Sequence, residues 1–349
     1  MKTFIAGLML SAAASVAAPF AVRGLHLSAP KPADVPLLAS FIRDTLPKEG
    51  VNTLVIEINY RYQFTKRPEV ADADALSRED VTALVNAAKT AGVRLIPQIN
   101  LLGHQSWAKT TFGLLRSHPE FDETPKKYPD NEGIYCRSYC PLHPVIHTVL
   151  FDLIDEIVDV FQADAFHAGM DEVFILADEN CPRCRGKLPA DLFAGEVIAV
   201  RDHLAKNGKQ LWMWSDRFLD GVATGAGKWE GSFNGTWTGL NRIPQDVVMN
   251  DWHYEAAIPG AALLAMNGFN VVSCPWRKPE VALAQIDMLR ALQKANKPVA
   301  ARALGFMQTT WGDPAQFIRA YNGETVQNKQ VAEAARCFKA AMERLRAAE

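Results

Sequence analysis

The sequence predicts a single α/β domain, a (β/α)8 barrel over residues 19–349, on three observations. Short runs rich in Val, Ile, Leu and Phe alternate with longer stretches of helical period, which is the pattern of repeated βαβ units around a parallel sheet. The alternation recurs eight times with no Pro-, Ser- or Gly-rich linker to mark a domain boundary. Turns leading into strands are short and carry Gly (Glu49-Gly50, Ala91-Gly92, Asn207-Gly208, Asn267-Gly268), whereas the segments leaving strands are long at 105–143, 174–189 and 217–246. Barrels of this kind build their sites at the C-terminal strand ends, so the long segments mark the working face. A doubly wound open sheet is the alternative.

The elements follow in order. PFAVRGLHL at 20–28 is the first strand, and a helix over 33–47 runs to Glu49-Gly50. VNTLVIEIN at 51–59 leads to a helix over 78–91, and VRLIPQINL at 93–101 opens into the longest segment. The helix at 144–162 shows the quality of the pattern: Ile146, Leu150, Leu153, Ile157 and Val160 form a stripe, and Asp152, Asp155, Glu156 and Asp159 read as its solvated face. AFHAGMDEV at 165–173 is the fourth strand, followed by a helix over 190–207. KQLWMWS at 209–215 is the fifth and has no obvious helix after it. VVMNDWH at 247–253, NVVSCPW at 270–276 and ALGFMQTT at 303–310 complete the set, with helices at 258–267, 279–294 and 314–345.

The 349 residues are 48% hydrophobic and 22% charged, enough apolar material for a large core and unlike a disordered chain. Lys and Arg number 37 against 39 Asp and Glu, a net charge of −2, and no basic block stands out, which argues against a nucleic-acid or anionic-membrane partner. Met1-Lys2, the apolar stretch Phe4 to Ala14 and Ser15-Val16-Ala17-Ala18 have the three regions of a secretory signal peptide cleaved near Ala18, so an exported, periplasmic or extracellular protein is expected. A retained anchor is the alternative. No later run reaches the roughly 20 apolar residues of a membrane span.

Export makes disulfides the first expectation for Cys136, Cys140, Cys181, Cys184, Cys274 and Cys337. Cys181-Pro-Arg-Cys184 is also half of a zinc knuckle, to which Cys136 and Cys140 could add two thiolates, and free thiols are the third reading.

Four Asp-Glu pairs occur, at 122, 155, 171 and 178, so the dipeptide alone carries nothing. Asp171-Glu172 differs because it closes an apolar strand, where two carboxylates are costly unless they face a polar cavity or have partners. Like charges this close also raise one pKa, which suits a general acid near neutral pH.

His167-x-Gly169-x-Asp171-Glu172 at the end of a fourth barrel strand resembles the signature of family 20 glycoside hydrolases, the β-N-acetylhexosaminidases. Other segments fall in that family's order: Arg23-Gly24 on the first strand, Ile96 to His104 on the third, Cys140-Pro141 before a helix, Trp214 on the fifth strand and Trp311-Gly312-Asp313 after the eighth. The resemblance spans nearly the whole chain beyond residue 18 and lacks the family's usual N-terminal accessory domain. It implies catalysis in which the substrate's own 2-acetamido carbonyl is the nucleophile, so the protein needs neither a nucleophile nor a cofactor.

By that resemblance Asp171 orients the acetamido group and Glu172 is the general acid and base. Trp214, Trp252 and Trp311 form aromatic walls, Tyr254 and His104 line the ligand, and Arg23 and Asp313 bind hydroxyls. The lower rim is the alternative place for Arg23. Of Trp212 and Trp214, the second is assigned to the mouth and the first to the helices. His167 is given a supporting role. The partner implied is an N-acetylhexosamine-containing glycan, and no catalytic metal is called for. Ser28, Gln98, Asn100, Met170 and Asp313 depart from the family pattern, and Glu57 with Asn59 is the nearest match to its second-strand acid. Two other readings remain: a conventional retaining glycosidase pairing Glu172 with Glu57 or Asp313, and a glycan-binding barrel without turnover. A zinc hydrolase is weaker, since no H-E-x-x-H appears.

Overall fold

The computed structural model describes residues 19–347, so the leader expected at 1–18 lies outside it. Eight parallel strands close into a barrel: β1 (Val22–Ser28), β2 (Thr53–Glu57), β3 (Arg94–Leu101), β4 (Ala165–Gly169), β5 (Gln210–Trp214), β6 (Val248–Trp252), β7 (Asn270–Cys274) and β8 (Ala303–Gln308). Each pairs with its sequence neighbours, and β8 returns to β1 with Val22 opposite Gly305 and Leu25 opposite Gln308. The helices are α1 (Val35–Asp44), α2 (Arg78–Ala91), α3 (Ile146–Val160), α4 (Pro189–Ala205), α5 (Gly260–Met266), α6 (Pro279–Gln293), α7 (Pro314–Tyr321) and α8 (Lys329–Arg346). No helix of the described residues is long and apolar enough to cross a membrane.

Local chemistry explains most boundaries. Ser77 and Asp80 form a reciprocal capping box at the start of α2, and Gly92 ends it in the left-handed conformation, φ 64°. The helix expected over 314–345 is two, because the chain turns at Gly323, φ 91°, and restarts where Asn328 caps Gln330 and Val331. After β5, 3-10 segments at Asp216–Phe218 and Thr236–Arg242 and a four-residue helix at Gly227–Glu230 occupy the place of a longer helix. The acidic face expected on α3 is only partly solvated. Glu156 is buried and accepts the backbone N–H groups of Thr65 and Lys66 at 2.7 and 3.0 Å, fastening the segment after β2 to the helix.

Strand side chains alternate in direction, and that rule corrects two expectations. Trp212 and Trp214 are two residues apart, so both point into the barrel, where they pack with Val22, Val55, Ile96, Val248 and Met307. The side chain of Arg23 runs the other way, along the lower rim, where Nε and an Nη donate to the carbonyls of Gly50 and Phe20 at 2.7 and 2.9 Å. Both acceptors precede strands, so Arg23 braces the N-terminal edge, at the opposite end from the mouth. Below Trp212 the Arg94 guanidinium covers its ring at 5.3 Å and is itself held by Asp164 at 2.8 Å.

Trp212 is thus the lower plug of the barrel. Trp212→Ala is expected to cost about 3–5 kcal/mol, read as a lower urea midpoint at unchanged slope.

Candidate active site

β4 ends at Gly169 rather than running through 173, so Asp171 and Glu172 stand on the turn beyond it. That turn is left-handed at Gly169, Met170 and Glu172, with φ of 63°, 66° and 49°. Gly169 is required there, because a Cβ would lie 2.1 Å from Asn100 Oδ1. Non-glycine residues in this region store on the order of 1–3 kcal/mol each and persist only where the surroundings hold them. Here Met170 is fully buried, and the Glu172 N–H donates to Asp216 Oδ2 at 2.9 Å.

The turn aims both carboxylates at one histidine. His104, itself left-handed at φ 53° beyond β3, places Nε2 3.3 Å from Asp171 Oδ2 and 3.3 Å from Glu172 Oε2. Burial opposes charge on its ring, but the Asp171 charge and contact with both carboxylates outweigh it and raise its pKa well above the ordinary value. His104 is therefore an imidazolium between two acids. Glu172 Oε2 also accepts the Tyr135 hydroxyl at 2.7 Å. Burial, with the adjacent Glu172 charge, raises the Tyr135 pKa, so Tyr135 stays a phenol donor. Asp171 Oδ1 is buried and has no hydrogen-bond partner among the described residues.

Behind the pair, the buried Asp216 accepts from Arg217 Nε at 2.6 Å and from Trp252 Nε1 at 3.2 Å as well as from Glu172. Burial pushes its carboxyl up to about 6 against the Arg217 charge. Sequence reasoning missed Tyr135, Asp216 and Arg217. A signal existed for the last two, an Asp-Arg pair just beyond an apolar strand, but Tyr135 lies in a long segment without periodicity.

The aromatic residues expected at the mouth do meet. Trp214 and Trp311 have ring centres 5.9 Å apart, Trp252 and Tyr254 4.8 Å, and Trp311 Nε1 donates to the Tyr254 hydroxyl at 2.9 Å. Trp276 extends this wall, 5.3 Å from Tyr254. Asp313 departs from expectation: its carboxylate accepts the Ala315 N–H at 2.8 Å and caps α7. His167 keeps a supporting place, with Nδ1 accepting from Gly169 at 3.0 Å and its ring 4.5 Å from Trp214. Burial lowers its pKa well below the usual value, so it is neutral.

The substituted positions form one network across β1 to β3. Glu57 accepts from Ser28, Asn59 and Asn100 at 3.2, 3.1 and 2.8 Å; Asn100 accepts from Gln98 at 2.8 Å, and Gln98 Oε1 meets His26 Nε2 at 3.1 Å. Amides here hold Glu57 in place.

Among the described residues, two groups of side chains bring ligating atoms within 4.8 Å of one another: His104 with Asp171 and Glu172, and Glu123 with Cys140, Cys181 and Cys184. The first is an ion triad whose histidine carries a proton. The second joins only Cys140 to the C-x-x-C, because Cys136 lies apart with its sulfur 3.8 Å from the Glu172 carbonyl. All six cysteines are free thiols, so the expected disulfides are not formed.

His253 supports the aromatic wall. It bridges Glu230 and Asp251 at 3.0 and 3.3 Å, and Glu230 accepts the Tyr254 N–H at 2.9 Å. Although burial opposes charge, these carboxylates raise its pKa from 6.5 to about 10. A raised histidine pKa contributes stability fully below the unfolded value and loses it as pH rises through the folded one. The stability gap between wild type and His253→Gln should therefore be full at pH 6, shrink progressively as the pH rises from about 6.5 and be lost by about 10, measured by urea unfolding.

With this geometry in hand, residues 53–332 match the family model described as glycosyl hydrolase family 20, catalytic domain. The chain is 25% identical over 216 residues to lacto-N-biosidase of Bifidobacterium bifidum, an alignment covering 58% of this chain and 18% of that protein. It is 22% identical over 212 residues to a beta-hexosaminidase of Vibrio furnissii, covering 60% of this chain and 31% of the relative. It therefore spans less than a third of the length of either relative. Among solved structures, the chitobiase of Flavobacterium johnsoniae superposes with a TM-score of 0.64 at 20% identity, covering 95% of this chain and 51% of that one. Dispersin B gives 0.52 at 16% identity, covering 92% and 97%. These likenesses establish the shared barrel, and with the family match over most of its length the chain belongs to glycosyl hydrolase family 20.

Proposed function

We propose that this chain is an exported, exo-acting β-N-acetylhexosaminidase that releases terminal GlcNAc or GalNAc from glycans by substrate-assisted, retaining catalysis. The observation that carries the reading is the unpartnered, buried Asp171 Oδ1 next to a Glu172 that is held by Tyr135 and His104. In the family's chemistry the substrate's 2-acetamido oxygen attacks the anomeric carbon. Asp171 accepts the acetamido N–H, which orients that oxygen and balances the charge of the oxazolinium-like intermediate. Glu172 takes the proton held at His104 Nε2 and passes it to the departing oxygen, and as a carboxylate it then takes one from the attacking water. His104, touching both acids through Nε2, is the proton store beside them. The wall of Trp214, Trp252, Tyr254 and Trp311 encloses the sugar and its acetamido methyl.

The leaving group then lies on the Glu172 side. There Tyr135 packs edge-on against Trp107 and Trp229, with ring centres 5.1 and 4.9 Å away, and Phe174 meets Trp229 at 5.3 Å. Trp107 and Trp229 are 52% and 42% exposed, an apolar surface suited to stacking on a second sugar.

Chromogenic β-GlcNAc, β-GalNAc and β-glucoside test the reading. Turnover is expected with the acetamido sugars alone, falling about 10²- to 10⁴-fold in Glu172→Gln and strongly in Asp171→Asn. Glucoside turnover would point to a protein nucleophile instead, and binding without turnover to a glycan-binding barrel. Trp229→Ala is expected to raise KM for a disaccharide roughly 3- to 10-fold, with little change for a small aryl glycoside.

A further inference from the structure

The two longest segments around the Glu172 side of the mouth meet in a buried cluster that the reaction does not use. Cys140 and Glu123 come from the segment between β3 and α3, and Cys181 and Cys184 from the one between β4 and α4. All four are fully buried. Cys140 and Cys184 have sulfurs 3.4 Å apart, unbonded, and Cys181 stands beside them as a third thiol. Glu123 Oε1 accepts the Asp178 N–H at 3.1 Å, while Oε2 is buried, facing the Cys181 and Cys184 thiols without a nitrogen or oxygen donor among the described residues. A buried carboxylate oxygen without a donor is costly unless a cation completes it.

The backbone is arranged for thiolates. In Cys181-Pro182-Arg183-Cys184 the chain folds back so that the Cys184 N–H points at Cys181 Sγ from 3.4 Å, joined by the Arg183 N–H, and the turn closes with Arg185 N–H on the Cys181 carbonyl at 3.1 Å. Cys140-Pro141 makes a matching turn, with the Leu142 N–H at Cys140 and the His143 N–H on its carbonyl at 3.1 Å.

We propose that Glu123, Cys140, Cys181 and Cys184 bind one structural zinc ion, closed on all four sides. Tetrahedral coordination with Zn–S near 2.3 Å puts ligand atoms roughly 3.8 Å apart, which a cluster within 4.8 Å reaches by small side-chain rotations. Three thiols lose their protons to solvent as zinc binds, and Glu123 turns its second oxygen to the metal as a carboxylate. Soft thiolates favour zinc over magnesium or calcium. The site staples the segment carrying Tyr135 to the one carrying Glu172 and so fixes the contact between them.

The test is metal analysis of the full chain, purified reduced and without chelator, then stripped and retitrated with zinc and with cobalt. One zinc per chain is expected, together with a cobalt spectrum of thiolate charge-transfer bands and tetrahedral ligand-field bands. The double variant Cys181→Ser, Cys184→Ser should lose both signals, and Cys337→Ala should keep them. Glu123→Gln should retain binding but weaken it roughly tenfold or more. Cobalt reconstitution of the wild type reads the site even if the double variant fails to fold. An intact mass lighter by two hydrogens with no zinc would overturn the proposal in favour of a Cys140–Cys184 disulfide. Reduced protein that takes up neither metal would overturn it in favour of plain buried thiols.

Discussion

Two adjacent carboxylates just beyond the C-terminal end of a barrel strand must be compensated, and much of the upper barrel is arranged by that demand. Asp171 and Glu172 are brought together by a left-handed turn that no regular strand would make. His104 answers with a charge and Tyr135 with a hydroxyl. Asp216, backed by Arg217, answers with a hold on the Glu172 backbone. His104 and Tyr135 come from the segment after β3 and Asp216 from the one after β5, so the pair's electrostatics and the loop conformations are one problem. Relaxing the turn would strand the acids, and removing the partners would leave the turn without support.

The mouth divides into two halves of different character. On the side of β1 to β3, Ser28, Glu57, Gln98 and Asn100 are knitted by hydrogen bonds into a fixed polar lattice. On the side of β5 to β8, Trp214, Trp252, Tyr254, Trp276 and Trp311 stack into a continuous aromatic surface. A hexosamine has the same division between its hydroxyl edge and its apolar faces. With amides at Gln98 and Asn100, Glu57 is the one carboxylate of this lattice.

Much of this was legible in the residues. Strand spacing, turn glycines and long exit segments identified the barrel, and a charged pair at the end of an apolar strand pointed to the carboxylates that meet His104 and Tyr135. The failures have physical reasons. Arg23 sits only one residue into β1, so its height along the barrel decided its role, and motif matching is blind to height. Trp212 and Trp214 were assigned to different faces although a two-residue spacing puts them on one. Asp313 was taken for a ligand because it follows a tryptophan, but its place before Pro314 also makes it a helix cap. Tyr135 and Glu123 lie where the chain has no period, and only tertiary contact brings them to Glu172 and to the thiols.

The Arg94–Trp212 layer has a consequence for traffic through the molecule. With the floor sealed by an indole and a guanidinium, the barrel is a blind well with one opening. Whatever enters the barrel on the side of Asp171 and Glu172 leaves by that side too, so the segments around the opening set what can pass in either direction.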